Sequence, residues 1–366
     1  MSSNKFIVPL SMLGAGDVEE GIRCGLLGGL IQDLSQQGIN ISDGFVITAQ
    51  AYKHFLSSNQ LESQIRKYLR AIEYDNKKSL NSASAKIRQL ILGAKFPAEL
   101  HRQIISSYNA LSKQYHIPDT YVAIYSSVVE DDVSDLLFDS QREAYINVRG
   151  AAMLTDIIKR CFADQFTDQA ISYRYAMGHR LFNIGTSVCI RKMVRPGLAA
   201  SGLACALDTG GKFTGAVVIN GSYGPGQLVM QKKVSADEFV VLRSTLQEPG
   251  IPIIEKKMGD KGKMMIYGSN PYEETAVIPT DKIMQCRFCL EDEQVLMIAR
   301  WVIAIEKFAR NKGYWFPLNI EWAIDGRTNQ LFVVGISGSS ADFRKRMGLL
   351  KSLVFDVNCI VFGMVN

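Results

Sequence analysis

The hydrophobic and polar positions change period along the chain. In "GIRCGLLGGLIQDLSQQG" (21–38), Leu26, Leu27, Leu30, Ile31 and Leu34 recur at helical spacing, with Gly25, Gly28 and Gly29 in the first turns. "GFVITAQAYKHFL" (44–56) reads as a strand running into a helix, with Thr48 as its N-cap. Residues 60–115 keep a helical period, with stripes such as Ile65, Tyr68, Leu69 and Ile72, then Ile87, Leu90 and Ile91, and Pro97 opens a helix through Tyr115. "TYVAIYSS" and "EAYINVRG" are strands, and 151–179 reads as one long helix. From 185 strands dominate: "GTSVCIRKMV", "ASGLACALD", "GAVVINGS", "GQLVMQKKV" and "DEFVVL". A helix over 291–311 follows, then the strands "LNIEWAID" and "QLFVVGI" around the turn Asp325-Gly326. The pattern predicts an α+β protein, helix-rich to residue 185 and mostly antiparallel over 186–340, with a tail at 341–366.

Composition narrows the function classes. At 366 residues the chain has room for two or three packed units, since single cores rarely grow past roughly 250 residues. The 41 basic and 36 acidic residues leave +5, spread along the chain, which argues against a nucleic-acid or membrane-surface ligand. No segment approaches the roughly 18 consecutive apolar residues of a membrane span, and the polar start Met1–Lys5 does not read as a secretory leader, so a cytoplasmic protein is expected. The seven cysteines are odd in number and scattered, which fits free thiols in a reducing compartment. Cys286-Arg-Phe-Cys289 has zinc-like spacing, but neither a second cysteine pair nor a His-x₃₋₅-His among His54, His101, His116 and His179 completes four ligands.

The stretch "AIYSSVVEDDVSDLLFDSQREAYINV" (123–148) has the frame of a phosphate-handling loop between two strands. Its tip holds Glu130, Asp131, Asp132, Asp135 and Asp139, with no glycine and no cation before Arg142. Together with "DGFVITAQAY" (43–52), "FTDQAISYR" (166–174), "KMVRPGLAASGLACALDT" (192–209), "GSYGPGQLVMQKKVSADEF" (221–239), "AIEKF" (304–308) and "NIEWAIDGRTNQLFVV" (319–334), it resembles the N-terminal nucleotide-binding region of the phosphoenolpyruvate synthase family, and more distantly pyruvate phosphate dikinase and rifampin phosphotransferase. The resemblance runs from about residue 17 to about 340 and implies an ATP-grasp fold with two lobes, 1–185 and 186–340. It also implies binding of ATP or ADP with magnesium (Mg2+), and phosphorylation of a histidine on a separate domain. The tail at 341–366 resembles the approach to that domain.

Several family site positions are changed. A Gly-Gly-Lys becomes Gly21-Ile22-Arg23, an Arg-Ser-Ser becomes Tyr125-Ser126-Ser127, and a Phe-Ala-Gly-Gln becomes Phe138-Asp139-Ser140-Gln141. A Gly-Leu-Gly-Glu becomes Gly224-Pro225-Gly226-Gln227. The metal-side Asp-Ile-Glu-Trp is Asn319-Ile320-Glu321-Trp322, and a closing Gln-Ala-Arg is Gly335-Ile336-Ser337. One metal carboxylate, two arginines and a lid glycine are lost at positions where phosphoryl transfer needs charge and close approach.

The candidate nucleotide-binding residues are therefore Arg23, Tyr125, Ser140, Arg191, Lys192, Met193, Gln227 and Ser337, with Glu321 and Asn319 as a poor magnesium site. Arg23 either holds a phosphate or pairs with Glu19 or Glu20, and Lys256, Lys257, Lys261 and Lys263 around Gly259 are a candidate anion-binding group. The first reading is a pseudoenzyme that binds an adenine nucleotide weakly, or a protein partner. A second is an active phosphotransferase using Arg23, Arg191 and Glu321 with an acceptor in trans. A third is an interaction protein whose cleft is filled by its own side chains.

Overall fold

The computed structural model describes residues 6–13, 34–129 and 145–338, apart from 177, 179–180, 183–184, 208–214, 247–251, 269–274 and 312–317. The contacts of the described residues divide into two units, the first comprising those within 6–129, 145–193 and 267–268, and the second those within 194–266 and 275–338.

In the first unit, five strands form an antiparallel sheet in the order β1-β2-β5-β3-β4: β1 (Ile7–Pro9), β2 (Gly44–Ile47), β3 (Val122–Val129), β4 (Tyr145–Val148) and β5 (Gly185–Lys192). Residues of β2, β3 and β5 that point one way (Phe45, Ile47, Val122, Ile124, Val188 and Ile190) join a single core with the helices. These are α1 (Ala49–Ser58), α2 (Leu61–Arg70), α3 (Lys77–Gly93), α4 (Ala98–Gln114), α5 (Ala151–Ala163) and α6 (Asp168–Ala176). Thr48 caps α1, accepting from the Ala51 N–H at 3.3 Å, as its position before the apolar period predicts. β5 is packed in this sheet, so the change of pattern at 185 is the start of its central strand, and the chain passes to the second unit after Met193.

The expected helix over 151–179 is broken. A 3-10 turn at Asp164–Phe166 and an extended Thr167 separate α5 from α6, and the Thr167 hydroxyl accepts from the Ala170 N–H, starting a new helix.

The second unit holds a six-stranded antiparallel sheet in the order β13-β12-β6-β7-β8-β9. Its strands are β6 (Ala200–Leu207), β7 (Ala216–Tyr223), β8 (Asp237–Leu242), β9 (Ile253–Lys257), β12 (Leu318–Ile324) and β13 (Leu331–Gly338). A ribbon of β10 (Lys263–Tyr267) and β11 (Thr275–Pro279) accompanies it. "GQLVMQKKV" is not a strand: Gln227–Met230 is a short helix, α7, ended by Lys232 at φ +54. The four-residue α8 (Lys282–Gln285) precedes α9 (Asp292–Asn311), which packs across β6, β7, β8 and β12 and buries Val295, Ile298, Val302 and Ile305. Among the described residues no helix is long and apolar enough to cross a membrane.

Candidate functional site

The end of β5 is held from both sides. Arg191 lies opposite Gly44 of β2 and Ala123 of β3, while Cys189 lies opposite Val46 and Tyr125. Directly paired residues share a face, so Tyr125, Cys189 and Arg191 point away from the helix-covered side. Lys192 points the other way, its ammonium 4.9 Å from the centre of the Tyr115 ring. Arg191 and Lys192, both candidate ligand residues, thus leave the strand on opposite faces. The Lys192 main-chain N–H donates to the Asp43 carbonyl at 2.8 Å and the Met193 N–H to the Tyr121 carbonyl at 2.9 Å. The Met193 sulfur accepts from the Asn147 N–H at 3.2 Å, and Asn147 is left-handed, at φ +60. Asp43 Oδ2 accepts from Tyr115 (3.0 Å) and Gln114 (2.7 Å). Burial, and then the Asp43 carboxylate, push the Tyr115 hydroxyl up to about 12.

In the second unit the metal-side candidates fall on two adjacent antiparallel strands. Asn319 pairs with Ser337, and Glu321 with Gly335. On the other side of β12 they face Cys205 and Leu203 of β6. Asn319, Glu321, Gly335, Leu203 and Cys205 are half-buried, whereas the intervening Ile320 and Trp322 are buried. A register shift follows Glu321. The Glu321 side chain lies over Gly335, with Oε2 2.6 Å and Cδ 2.8 Å from where a Cβ at 335 would stand. Burial, and then Glu306, push the Cys205 thiol up, so it is neutral at physiological pH.

Gln227 opens α7 and is exposed, on a glycine loop that is pinned. The Gly224 N–H donates to the Ala199 carbonyl (3.0 Å), Ser201 Oγ donates to the Gly224 carbonyl (2.6 Å), and a Cβ at Gly224 would stand 2.2 Å from the Met265 carbonyl oxygen.

The lysine group around Gly259 is not a cationic surface as a set. Lys261 is fully buried against Asp237, and Lys256 pairs with Asp292. Asp237 escaped the sequence reading, because its partner lies 24 residues away and no local motif joins them. Cys161, Cys205, Cys286 and Cys289 are free, but Cys189 is disulfide-bonded, against the expectation of free thiols throughout. Arg23, Ser140 and the acidic run 130–139 lie outside the described residues.

Two antiparallel sheets with helices packed on them define an α+β, ATP-grasp-like domain, as the sequence resemblance implies. The chain belongs to the family described as pyruvate phosphate dikinase, AMP/ATP-binding domain, which it matches over residues 24–337. It is 40% identical over 326 residues to a phosphoenolpyruvate synthase of Aquifex aeolicus, covering 89% of this chain and 38% of that protein. It is 34% identical over 331 residues to that of Synechocystis sp. (89% and 40%), and 36% over 310 residues to that of Helicobacter pylori (84% and 38%). The chain spans about two fifths of the length of these relatives.

Proposed function

We propose that this domain binds an adenine nucleotide chiefly through its base and has little phosphoryl-transfer capacity of its own. The observation that carries the reading is the pairing of Asn319 with Ser337 and of Glu321 with Gly335, a row with one carboxylate and no cation. Magnesium takes oxygens in octahedral array, usually from carboxylates and substrate phosphates together. One carboxylate folded over a glycine, with one amide nearby, is a donor set that does not fit a resident ion. Each lost transition-state contact costs roughly 10²–10³ in rate, so the substitutions at 125, 319, 335 and 337 together remove most transfer even without additivity.

The base side depends less on side chains. Lys192 and Met193 already spend their N–H groups on Asp43 and Tyr121, so main-chain recognition of a base N1 and amino group falls to the segment beginning at Val194. Tyr125 and Arg191 share a face of the first sheet and supply one ring and one cation there. Formation of phosphoenolpyruvate, the activity in the names of the relatives, is then outside the reach of this domain alone.

Calorimetric titration with ATP, ADP and AMP, with and without magnesium, tests the proposal alongside a phosphate-release assay. The three nucleotides should bind within about 1 kcal/mol of one another, less than one charge-assisted phosphate contact contributes. Strong preference for magnesium-ATP, or steady phosphate release, would overturn it.

A further inference from the structure

Asn147 of β4 is 2% exposed, and its side-chain oxygen Oδ1 accepts from no protein donor. A buried acceptor left unpaired is costly, and a native fold keeps few of them. Its place in the first sheet follows from the register. Tyr145 and Val148 lie opposite Ile124 and Val122, on the side packed against the helices. The pairing of β3 with β4 shifts between those two positions, so Ile146 and Asn147 together stand against Ala123. Ala123 pairs on its other side with Arg191. Asn147 thus ends a row on the face turned away from the helices, next to the row of Tyr125 and Cys189. Its N–H donates to the Met193 sulfur at 3.2 Å, and its left-handed φ of +60 is one that asparagine tolerates well.

We infer that Asn147 selects the base: its Oδ1 accepts from the 6-amino group of adenine, and a 6-oxo purine is refused. An asparagine amide reads adenine by accepting from the amino group and donating to N7, whereas guanine presents the acceptor O6 at the first position. Hypoxanthine presents the same oxygen, so with either base two acceptors would face one another away from water. The neighbours suit a neutral ring, because Met193 brings a polarizable thioether and Ala123 a small apolar surface. This inference deepens the proposed function and rests on it, since it names the residue that makes base binding selective.

Calorimetric titration of the full chain with AMP and with inosine 5′-monophosphate tests it, the two ligands carrying amino and oxo groups at the 6-position. The parent should prefer AMP by at least about tenfold. Asn147→Gly keeps the positive φ and removes the amide, so its AMP affinity should fall to within about twofold of its inosine monophosphate affinity. Equal weakening of both ligands would reduce Asn147 to a backbone role and overturn the inference, as would a parent that binds both alike. Asn147→Asp is the second variant, and it carries the test should the glycine variant not fold. Its carboxylate bonds the amino group more strongly and repels O6, so the preference for AMP should widen, and an unchanged ratio overturns the inference. A parent that binds neither nucleotide overturns the proposed function and this inference with it, whereas AMP binding without selectivity overturns the inference alone.

Discussion

Asp237 and Lys261 form an ion pair of 2.5 Å in which neither side chain reaches solvent. The carboxylate also accepts from the Gly259 N–H at 2.9 Å and from the Cys289 N–H at 2.7 Å, and Lys261 donates to the Gly259 carbonyl at 2.9 Å. One carboxylate therefore joins the start of β8, the β9–β10 turn and the loop after α8. Removing one partner leaves an uncompensated buried charge, so Lys261→Met should cost about 3–5 kcal/mol in urea unfolding. Asp237→Asn combined with Lys261→Met should recover part of that loss, since the amide oxygen still accepts one N–H. Should Lys261→Met unfold at the parental midpoint, the pair would contribute nothing.

The proposed loss of phosphate recognition makes a constructive prediction. Tyr125→Arg, Asn319→Asp and Ser337→Arg together should raise ATP affinity relative to AMP by at least about tenfold, with a new dependence on magnesium. Calorimetry with the two nucleotides reads the change. Equal gains for ATP and AMP would mean that the new charges act without reaching a phosphate.

Alkaline stability follows in part from two of the partly buried tyrosines. Burial is the leading cause that pushes the hydroxyls of both Tyr115 and Tyr223 up from 10.0 to about 12. A folded-state value raised above the unfolded one gives stability that is complete below pH about 10 and is lost as pH rises through about 12. The urea midpoint should therefore be flat from neutral pH to about 10 and fall steeply above it, as tyrosinate absorbance grows. Tyr115→Phe should make that fall shallower, and an unchanged slope in this variant would exclude a contribution from Tyr115.

Two glycines should respond oppositely to alanine. A Cβ at Gly44 would stand 2.0 Å from the Ile190 carbonyl oxygen and 2.8 Å from the Arg191 Cα, which are backbone atoms of the central strand. Gly44→Ala should cost at least about 2 kcal/mol, toward the top of the overpacking range. Gly93 ends α3 with nothing within 4 Å of a new Cβ, so Gly93→Ala should be neutral or add up to about 1 kcal/mol. Thermal unfolding of both variants against the parent checks the contrast.

Elements with a sustained period were legible from residues alone. The α3 stripe through Ile87, Leu90 and Ile91 and the β12–β13 pair around Asp325-Gly326 fall where the pattern puts them. The pattern failed where backbone conformation overrides side-chain type. "GQLVM" has strand-like composition, yet it follows a pinned left-handed Gly224 and folds as one helical turn. The helix over 151–179 broke at Thr167, whose hydroxyl competes for the local N–H groups. Site chemistry was legible as residue types but not as placement. Lys261 looks like a surface cation until Asp237 is seen beside it.

The burial of Trp322 gives the molecule an optical asymmetry. All three tryptophans occur at residue 301 or later, and the two that are described, Trp301 and Trp322, are buried in the second unit. The Trp322 ring stands 2.6 Å from the Cβ position of Gly221, which also lies 3.0 Å from the Cys289 sulfur, so the indole and a quenching thiol share one glycine-lined niche. Indole emission therefore reports the melting of the six-stranded sheet, while helical circular dichroism, weighted toward α1–α6, reports the other unit. One heating ramp followed by both signals shows whether the chain melts as a single cooperative body or in two steps.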